Sequence, residues 1–483
     1  MKKSETMIPS TGMDRSTLLN ELQSAREHDT VWQQGKAFCL VYHPGEERAA
    51  LIQEAYNTFF AENALNPSAF PSLRRFEAEV VTMVGSLLNA DEEVEGTMSS
   101  GGTESILLAI KTAREWALAH KPLITAPEVI VPSSVHPAFH KAFHYFGVKG
   151  VIVPVGADYR ADIQAMREAI NENTILLVGS APSYPHGVMD PIRDLSDLAL
   201  AHGLLLHVDA CVGGMLLPFV RKLGHAVADF DFSLPGVTSI SSDLHKFGYA
   251  AKGASVILYR NAALRKHQFY VYADWSGGIY GSTTMLGTRP GGAIAAAWAA
   301  LKSIGMNGYM DMALRTMKAT EKLLAGIAAI PELQVIGDPD MSIIAFGSDS
   351  LNIHVLGDEL AMMGWHFDRQ QMPDSLHLTV SQVHFEVADA FLADLQEAVD
   401  KLVGFSWSKL AAKAQVGAFK GMRAIMPHGL FKKLQDAASS GPAKVGHSRS
   451  AAMYGMMSAL SGSGDLSDLV RNALHGFYTL ERT

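Results

Sequence analysis

Cysteine is nearly absent: among 483 residues only Cys39 and Cys211 occur. Two thiols cannot frame a disulfide-built fold of this size, and so low a count fits a reducing compartment. Long hydrophobic runs are missing too. No stretch approaches the roughly 18 apolar residues needed to cross a bilayer, and the longest candidates, such as 291–301, fall well short. Residues 1–20 lack the continuous apolar core of a secretion signal. There is no surplus of positive charge, since 40 Lys and Arg face 49 Asp and Glu for a net −9, which argues against nucleic acid as a partner. Internal repeats and low-complexity tracts are also lacking. These absences leave a globular chain, expected to be soluble and cytoplasmic, and its 48% apolar and 18% charged residues suit a well-buried enzyme.

At this length two or three domains are expected. Residues 1–75 read as an N-terminal arm, with a helix over 18–28 followed by Pro- and Gly-punctuated segments near His43-Pro44-Gly45 and Asn66-Pro67. A helix is expected over 73–88. From there helices (105–120, 137–146, 163–171, 194–202) alternate with strands (128–132, 151–155, 175–180, 204–209), and two further apolar strands lie at 238–242 and 254–259. Strands separated by helices imply parallel pairing and an α/β layered sheet. Two long helices, 293–304 and 309–330, close a large domain over 76–330, and 331–483 form a smaller α+β unit. Within it, 409–449 carries eight Lys or Arg against one acid, Asp436, interleaved with Phe419, Met422, Ile425, Met426, Leu430, Phe431 and Leu434. That basic amphipathic composition suits peripheral contact of 410–448 with a membrane surface, or equally a packed surface helix.

Three motifs lie in order along the α/β part. SSGGTES at 99–105 opens a helix; its two glycines allow close backbone approach, and the free N–H groups at a helix start attract an anion, ideally a phosphate. No GxGxxG opening a βαβ unit and no GxxxxGK[ST] accompanies it, so nucleotide binding lacks support. The strand 204–208 then runs into Asp209, where α/β proteins place ligands and where a carboxylate can keep a pyridine nitrogen protonated. Lys246 follows 37 residues later, just past an apolar strand; a partly desolvated pocket there is expected to lower its pKa and suit Schiff-base formation. Each motif alone has a bland reading as cap, surface acid or surface lysine. Their order at one sheet edge outweighs those readings. His136, His140 and His144 recur every four residues, but no acid or cysteine completes a metal set, so no metal is expected. His136, at a helix start, is better suited to stacking on a flat ring. Cys211 reads as a small buried apolar residue.

With these residues in place the sequence resembles the group II pyridoxal 5′-phosphate (PLP)-dependent decarboxylases, and within them the sphingosine-1-phosphate lyases. The resemblance is carried by SSGGTES, YPHGVMDP at 184–191, HVDACVGG at 207–214, SISSDLHKFGYAAKG at 239–253, DWSGGIYGSTTMLGTRPGG at 274–292 and AMYGM at 452–456. It implies a fold type I, aspartate aminotransferase-like α/β enzyme: a large mixed or parallel-sheet domain, a smaller C-terminal domain, and a homodimer with PLP at the subunit interface. It matches Lys246 to the Schiff-base lysine, Asp209 to the pyridinium partner and His136 to the ring-stacking histidine. Ser100, Gly101, Gly102, Thr103, Ser242 and His245 match groups around the cofactor, and Thr288 is expected to reach the phosphate from the other subunit. Tyr42, Asn66, Tyr249 and Lys252 match substrate positions, although Asn66 stands where the lyases usually carry histidine. The implied reaction is retro-aldol cleavage of a phosphorylated long-chain base to a fatty aldehyde and phosphoethanolamine. The alternative is release of CO₂ from an L-amino acid by the same apparatus.

Overall fold

A computed structural model describes residues 8–27 and 29–404, together with 467, 470, 471, 474 and 475. The basic stretch 409–449, the block at 452–456 and His28 lie outside the described residues.

Seven strands form one sheet: β1 (Glu95–Ser99), β2 (Glu128–Pro132), β3 (Lys149–Val153), β4 (Thr174–Ser180), β5 (Leu205–Asp209), β6 (Ser239–Ser242) and β7 (Ser255–Tyr259), in the order β1-β7-β6-β5-β4-β2-β3. β2 through β6 pair in parallel, as the alternation with helices requires. β7 is the exception. It runs antiparallel to both β6 and β1, because the short link from β6 holds no helix to carry the chain back across the sheet. Two reversals cancel, so β1 points the same way as β6. The C-terminal ends of β1, β2, β4, β5 and β6 therefore share one edge, and the site is built along it.

Four helices set the frame: α1 (Arg15–Ala25), α2 (Glu46–Thr58), α3 (Pro71–Leu87) and α4 (Gly102–His120). Apolar residues on β2, β4 and β5 are almost wholly buried and pack between helices on both faces. The helix Gly291–Ala328 replaces the two expected helices and is broken at Gly305, whose φ of 61° lies in the left-handed region that a glycine tolerates. It leads to a second apolar cluster around a four-stranded antiparallel sheet. Phe38, far away in sequence, is buried in that cluster and stacks on His384 at 4.2 Å between ring centroids. No helix among the described residues is long and apolar enough to cross a membrane.

Several buried histidines make the fold sensitive to acid. His384 accepts from the Ser381 backbone N–H at Nδ1 (2.7 Å) and donates from Nε2 to the Ala37 carbonyl (3.0 Å), so both nitrogens are committed in the neutral form. Burial pushes His186, His207 and His384 each down to about 4. The unfolded chain takes up these protons near the ordinary value of 6.5, whereas the folded chain refuses them. Their stabilisation is thus complete above pH 6.5 and is lost as pH falls toward 4, by roughly 3 kcal/mol per histidine. Asp190 works the other way, because burial raises it to about 6 and the fold welcomes its proton below that pH. Three histidines outweigh one aspartate. The melting temperature is expected to fall between pH 6.5 and 4.5, and to fall less in His384→Gln; a flat profile in both proteins would contradict this.

Candidate active site

The sheet edge opens into a cavity of about 410 Å³ lined by Ser100, Gly101, Gly102, Thr103, His136, Asp209, His245 and Lys246, which come from the ends of β1, β2, β5 and β6 and the segments that follow them. Eight of the residues expected from sequence thus converge. β1 leads into the Gly101-Gly102 turn, and α4 starts there with its N–H groups unsatisfied within the helix. Side chains are excluded at this turn: a Cβ on Gly102 would lie 2.8 Å from Cys211 Sγ and 2.8 Å from Asp243 Oδ2, and one on Gly101 would lie 3.1 Å from the His245 ring.

Asp209 ends β5. Its Oδ1 accepts from the Cys211 N–H (3.1 Å) and from Ser241 Oγ (3.2 Å), whereas the hydrogen bonds it makes among the described residues leave Oδ2 uncommitted. Behind it, Ser241 Oγ lies 3.3 Å from His207 Nε2. The single Ser241 proton goes to Asp209, so His207 donates from Nε2 and its Nδ1 accepts from Ser239 Oγ at 2.9 Å. A neutral histidine and a serine thus orient the carboxylate.

His136 follows β2. Its Nδ1 accepts from the Ala138 N–H (3.2 Å), and burial lowers its pKa, which favours the neutral imidazole on the cavity wall. Its neighbours His140 and His144 are exposed, away from it. Among the described residues no three His, Cys, Asp or Glu gather as a metal site.

Lys246 corrects one expectation. Burial alone would depress its pKa, but Asp243 Oδ2 lies 2.9 Å from Nζ and outweighs that effect, holding the ammonium above the ordinary lysine range. Asp243, only 1% exposed, is held below its own usual value by the same contact even though burial opposes it. The expected lowering considered desolvation and overlooked an acid one helical turn upstream.

The other expected residues lie elsewhere. Ser242 is fully buried beneath Gly214, not on the cavity wall. Thr288 sits on a loop where its Oγ1 accepts from Asn63 Nδ2 at 3.4 Å. Asn66 caps an exposed turn, its Oδ1 accepting from the Ser68 and Ala69 N–H groups. Tyr249 is buried beside Tyr309, in a left-handed conformation with φ 56°. Tyr42 packs on Phe247 (4.9 Å), and burial pushes its hydroxyl up to about 12. Lys252 Nζ lies over the Tyr42 ring at 5.4 Å and donates to the carbonyls of Leu40 (2.8 Å) and His245 (3.2 Å); desolvation and the Lys246 charge lower its pKa.

Sequence reasoning did not single out four cavity residues: Glu104, Tyr184, Asp243 and, as a lining residue, Cys211. The buried Glu104 carboxylate accepts from the Ser100 N–H (2.6 Å) and from the Met285 N–H (2.8 Å), which ties the glycine turn to the loop that carries Thr288. A conspicuous acid inside SSGGTES was the available signal. Tyr184, which opens the YPHG block, had none of its own.

Residues 20–348 match the family model described as the pyridoxal-dependent decarboxylase conserved domain. The chain is 44% identical to a sphingosine-1-phosphate lyase of Oryza sativa subsp. japonica over 439 residues, 89% of this chain and 79% of that protein. It is 43% identical to sphingosine-1-phosphate lyase 1 of Mus musculus over 418 residues, 86% of this chain and 73% of that one. Among solved structures, the sphingosine-1-phosphate lyase of Burkholderia pseudomallei K96243 is 40% identical with a TM-score of 0.80, covering 87% of this chain and 98% of that chain.

Proposed function

The chain belongs to the pyridoxal-dependent decarboxylase family, and on that premise we propose that it is a carbon–carbon lyase that splits a phosphorylated long-chain base of the sphingosine-1-phosphate type into a fatty aldehyde and phosphoethanolamine. Its cofactor is pyridoxal 5′-phosphate. The observation that carries the lyase reading is the similarity to lyases of plant, mammal and bacterium over more than four-fifths of this chain.

The cavity suits that cofactor on its own terms: a turn that admits no Cβ at a helix N-terminus for a phosphate, a carboxylate with a spare oxygen at a strand end, and a partly buried lysine on the same wall. In this reading Ser100, Gly101, Gly102, Thr103 and His245 would hold the phosphate, Asp209 the ring nitrogen, His136 a face of the ring and Lys246 the aldehyde. When bound, the group supplies an electron sink for a bond broken at the amine-bearing carbon. The chain's own residues do the rest. Asp209, fixed by Ser241 and His207, keeps its negative charge aimed into the cavity. Lys252, beside Tyr42, places a cation near the mouth where a substrate phosphate can lodge. Tyr184 lines the cavity beside His136, their rings 6.5 Å apart and edge-on, and in this reading its hydroxyl would meet the substrate β-hydroxyl.

Incubation with a phosphorylated long-chain base should release aldehyde, and incubation with L-amino acids should release no CO₂. The reverse pattern would replace the lyase by a decarboxylase.

The same reading makes the enzyme a homodimer. The two-stranded hairpin of β8 (Tyr270–Tyr272) and β9 (Tyr280–Ser282), with its connecting loop, exposes Tyr270, Val271, Tyr272, Trp275 and Ile279, the last at 79%. An apolar patch of this kind favours a partner surface. A second copy is the occupant that would also give the Thr288 loop an active site to complete. Sedimentation should give about twice 52.1 kDa, and Ile279→Asp should shift the population toward monomer with loss of activity at low protein concentration. A wild-type monomer that is fully active would refute the shared site.

A further inference from the structure

Asp368 and His377 face each other across the antiparallel pair β10 (Asp368–Gln370) and β11 (Ser375–Thr379) of the small sheet. Both grip Tyr184, which belongs to the large sheet's site edge. Tyr184 Oη donates to Asp368 Oδ2, and His377 Nε2 lies 2.8 Å from the Tyr184 carbonyl. A carbonyl only accepts, so His377 carries a proton on Nε2 and donates it, and burial lowers its pKa, which favours the neutral ring. The Tyr184 and His377 rings lie 4.4 Å apart at 35°. One cross-strand pair thus holds Tyr184 by its hydroxyl and by its backbone. Burial, and then the charge of the same Asp368 carboxylate, push the Cys39 thiol above its ordinary pKa, and Tyr42 lies within the electrostatic reach of Asp368.

We propose that Asp368 is the terminal acceptor of a proton relayed through Tyr184: as the Tyr184 oxygen takes the proton of the substrate β-hydroxyl, it passes its own proton to Asp368. This rests on the lyase reading for the source of the proton. The substrate O–H bond breaks, a new O–H bond forms at Tyr184, and the former Tyr184 proton bonds to an Asp368 oxygen. The electron pair stays on the substrate oxygen, available for the aldehyde carbonyl. The relay explains why the phenol needs a carboxylate behind it. Burial, and then the negative charge of Asp368, hold Tyr184 above its ordinary pKa, so a free phenolate is not formed at neutral pH and the tyrosine works only if its proton leaves as another arrives. Asp368 comes from the small sheet, so the arrangement also makes proton transfer depend on the small unit being packed in place.

Asp368→Asn keeps an acceptor for Tyr184 Oη but cannot take a proton; Asp368→Glu keeps the carboxylate. In the loaded enzyme D368N should lower kcat about 10²-fold and leave KM within about threefold, while D368E recovers most of the loss. Added to Tyr184→Phe, D368N should cost nothing further, since the two act as one unit. A second readout needs no turnover. In an ultraviolet phenolate titration, loss of the neighbouring charge should let Tyr184 ionise at lower pH in D368N than in wild type, and in the Y184F background only the smaller shift of Tyr42 should remain. Wild-type kcat in D368N, losses that add to those of Y184F, or an unmoved titration would overturn the proposal. A wild type that releases no aldehyde overturns the lyase reading instead, and the titration still decides whether Asp368 holds the Tyr184 proton.

Discussion

Lys246→Ala is expected to erase the visible absorption of the loaded protein and to cut turnover on the order of 10⁴-fold, as removal of one member of a cooperating set does. A separate effect follows from the ion pair. The 2.9 Å contact neutralises Asp243, a carboxylate 1% exposed beneath the glycine turn. Taking the ammonium away leaves a buried charge whose remaining ion-pair partner among the described residues is His245, at 3.6 Å, and such a group costs on the order of 3 kcal/mol. The cofactor-free variant should therefore melt lower than wild type, and adding Asp243→Asn should recover the stability without recovering activity. Calorimetry and absorbance on the three proteins separate the two roles. A K246A protein that stays yellow and active would place the covalent attachment elsewhere.

That pair also marks the boundary of what could be read from the chain before its fold was known. Glu128–Pro132 was legible to the residue because a Val-Ile-Val run ends at a proline, and both flanking helices repeat their apolar positions at helical spacing. The three-motif edge was legible because each motif is local: a glycine turn, a strand-end acid, a lysine after a strand. The helix Glu46–Thr58 was not, since it buries a single residue, Ile52, and shows almost no amphipathic contrast. The reversed direction of β7 is written in the missing crossover helix, and it makes the sheet the mixed one of the two arrangements that the resemblance implied. The pKa of Lys246 required knowing that residue 243 turns back onto residue 246, which depends on the conformation after β6. Asp368 and His377 lie 184 and 193 residues from Tyr184. Nothing periodic links such positions; only the docking of the small sheet brings them together.

Asp209→Asn tests the electrostatic heart of the site, because it changes charge and almost nothing else. The asparagine oxygen can still accept from the Cys211 N–H and Ser241 Oγ, as Asp209 Oδ1 does at 3.1 and 3.2 Å, so the strand end and the His207–Ser241 support should stay in place and the melting temperature should hardly move. What is lost is the negative charge that, in the proposed reading, would face the ring nitrogen. An amide cannot hold a pyridinium proton as a carboxylate does, and preorganised charge of this kind is worth about 10²–10³-fold in rate per group; with the electron sink itself weakened, the upper end of that range is expected for kcat. Lys246 remains, so cofactor should still be taken up and the protein should still be coloured, with loss confined to turnover. Loading measured by absorbance, set against kcat for aldehyde release, makes the separation visible. Full activity in D209N would mean that the carboxylate at the end of β5 serves the fold and that another group tunes the ring.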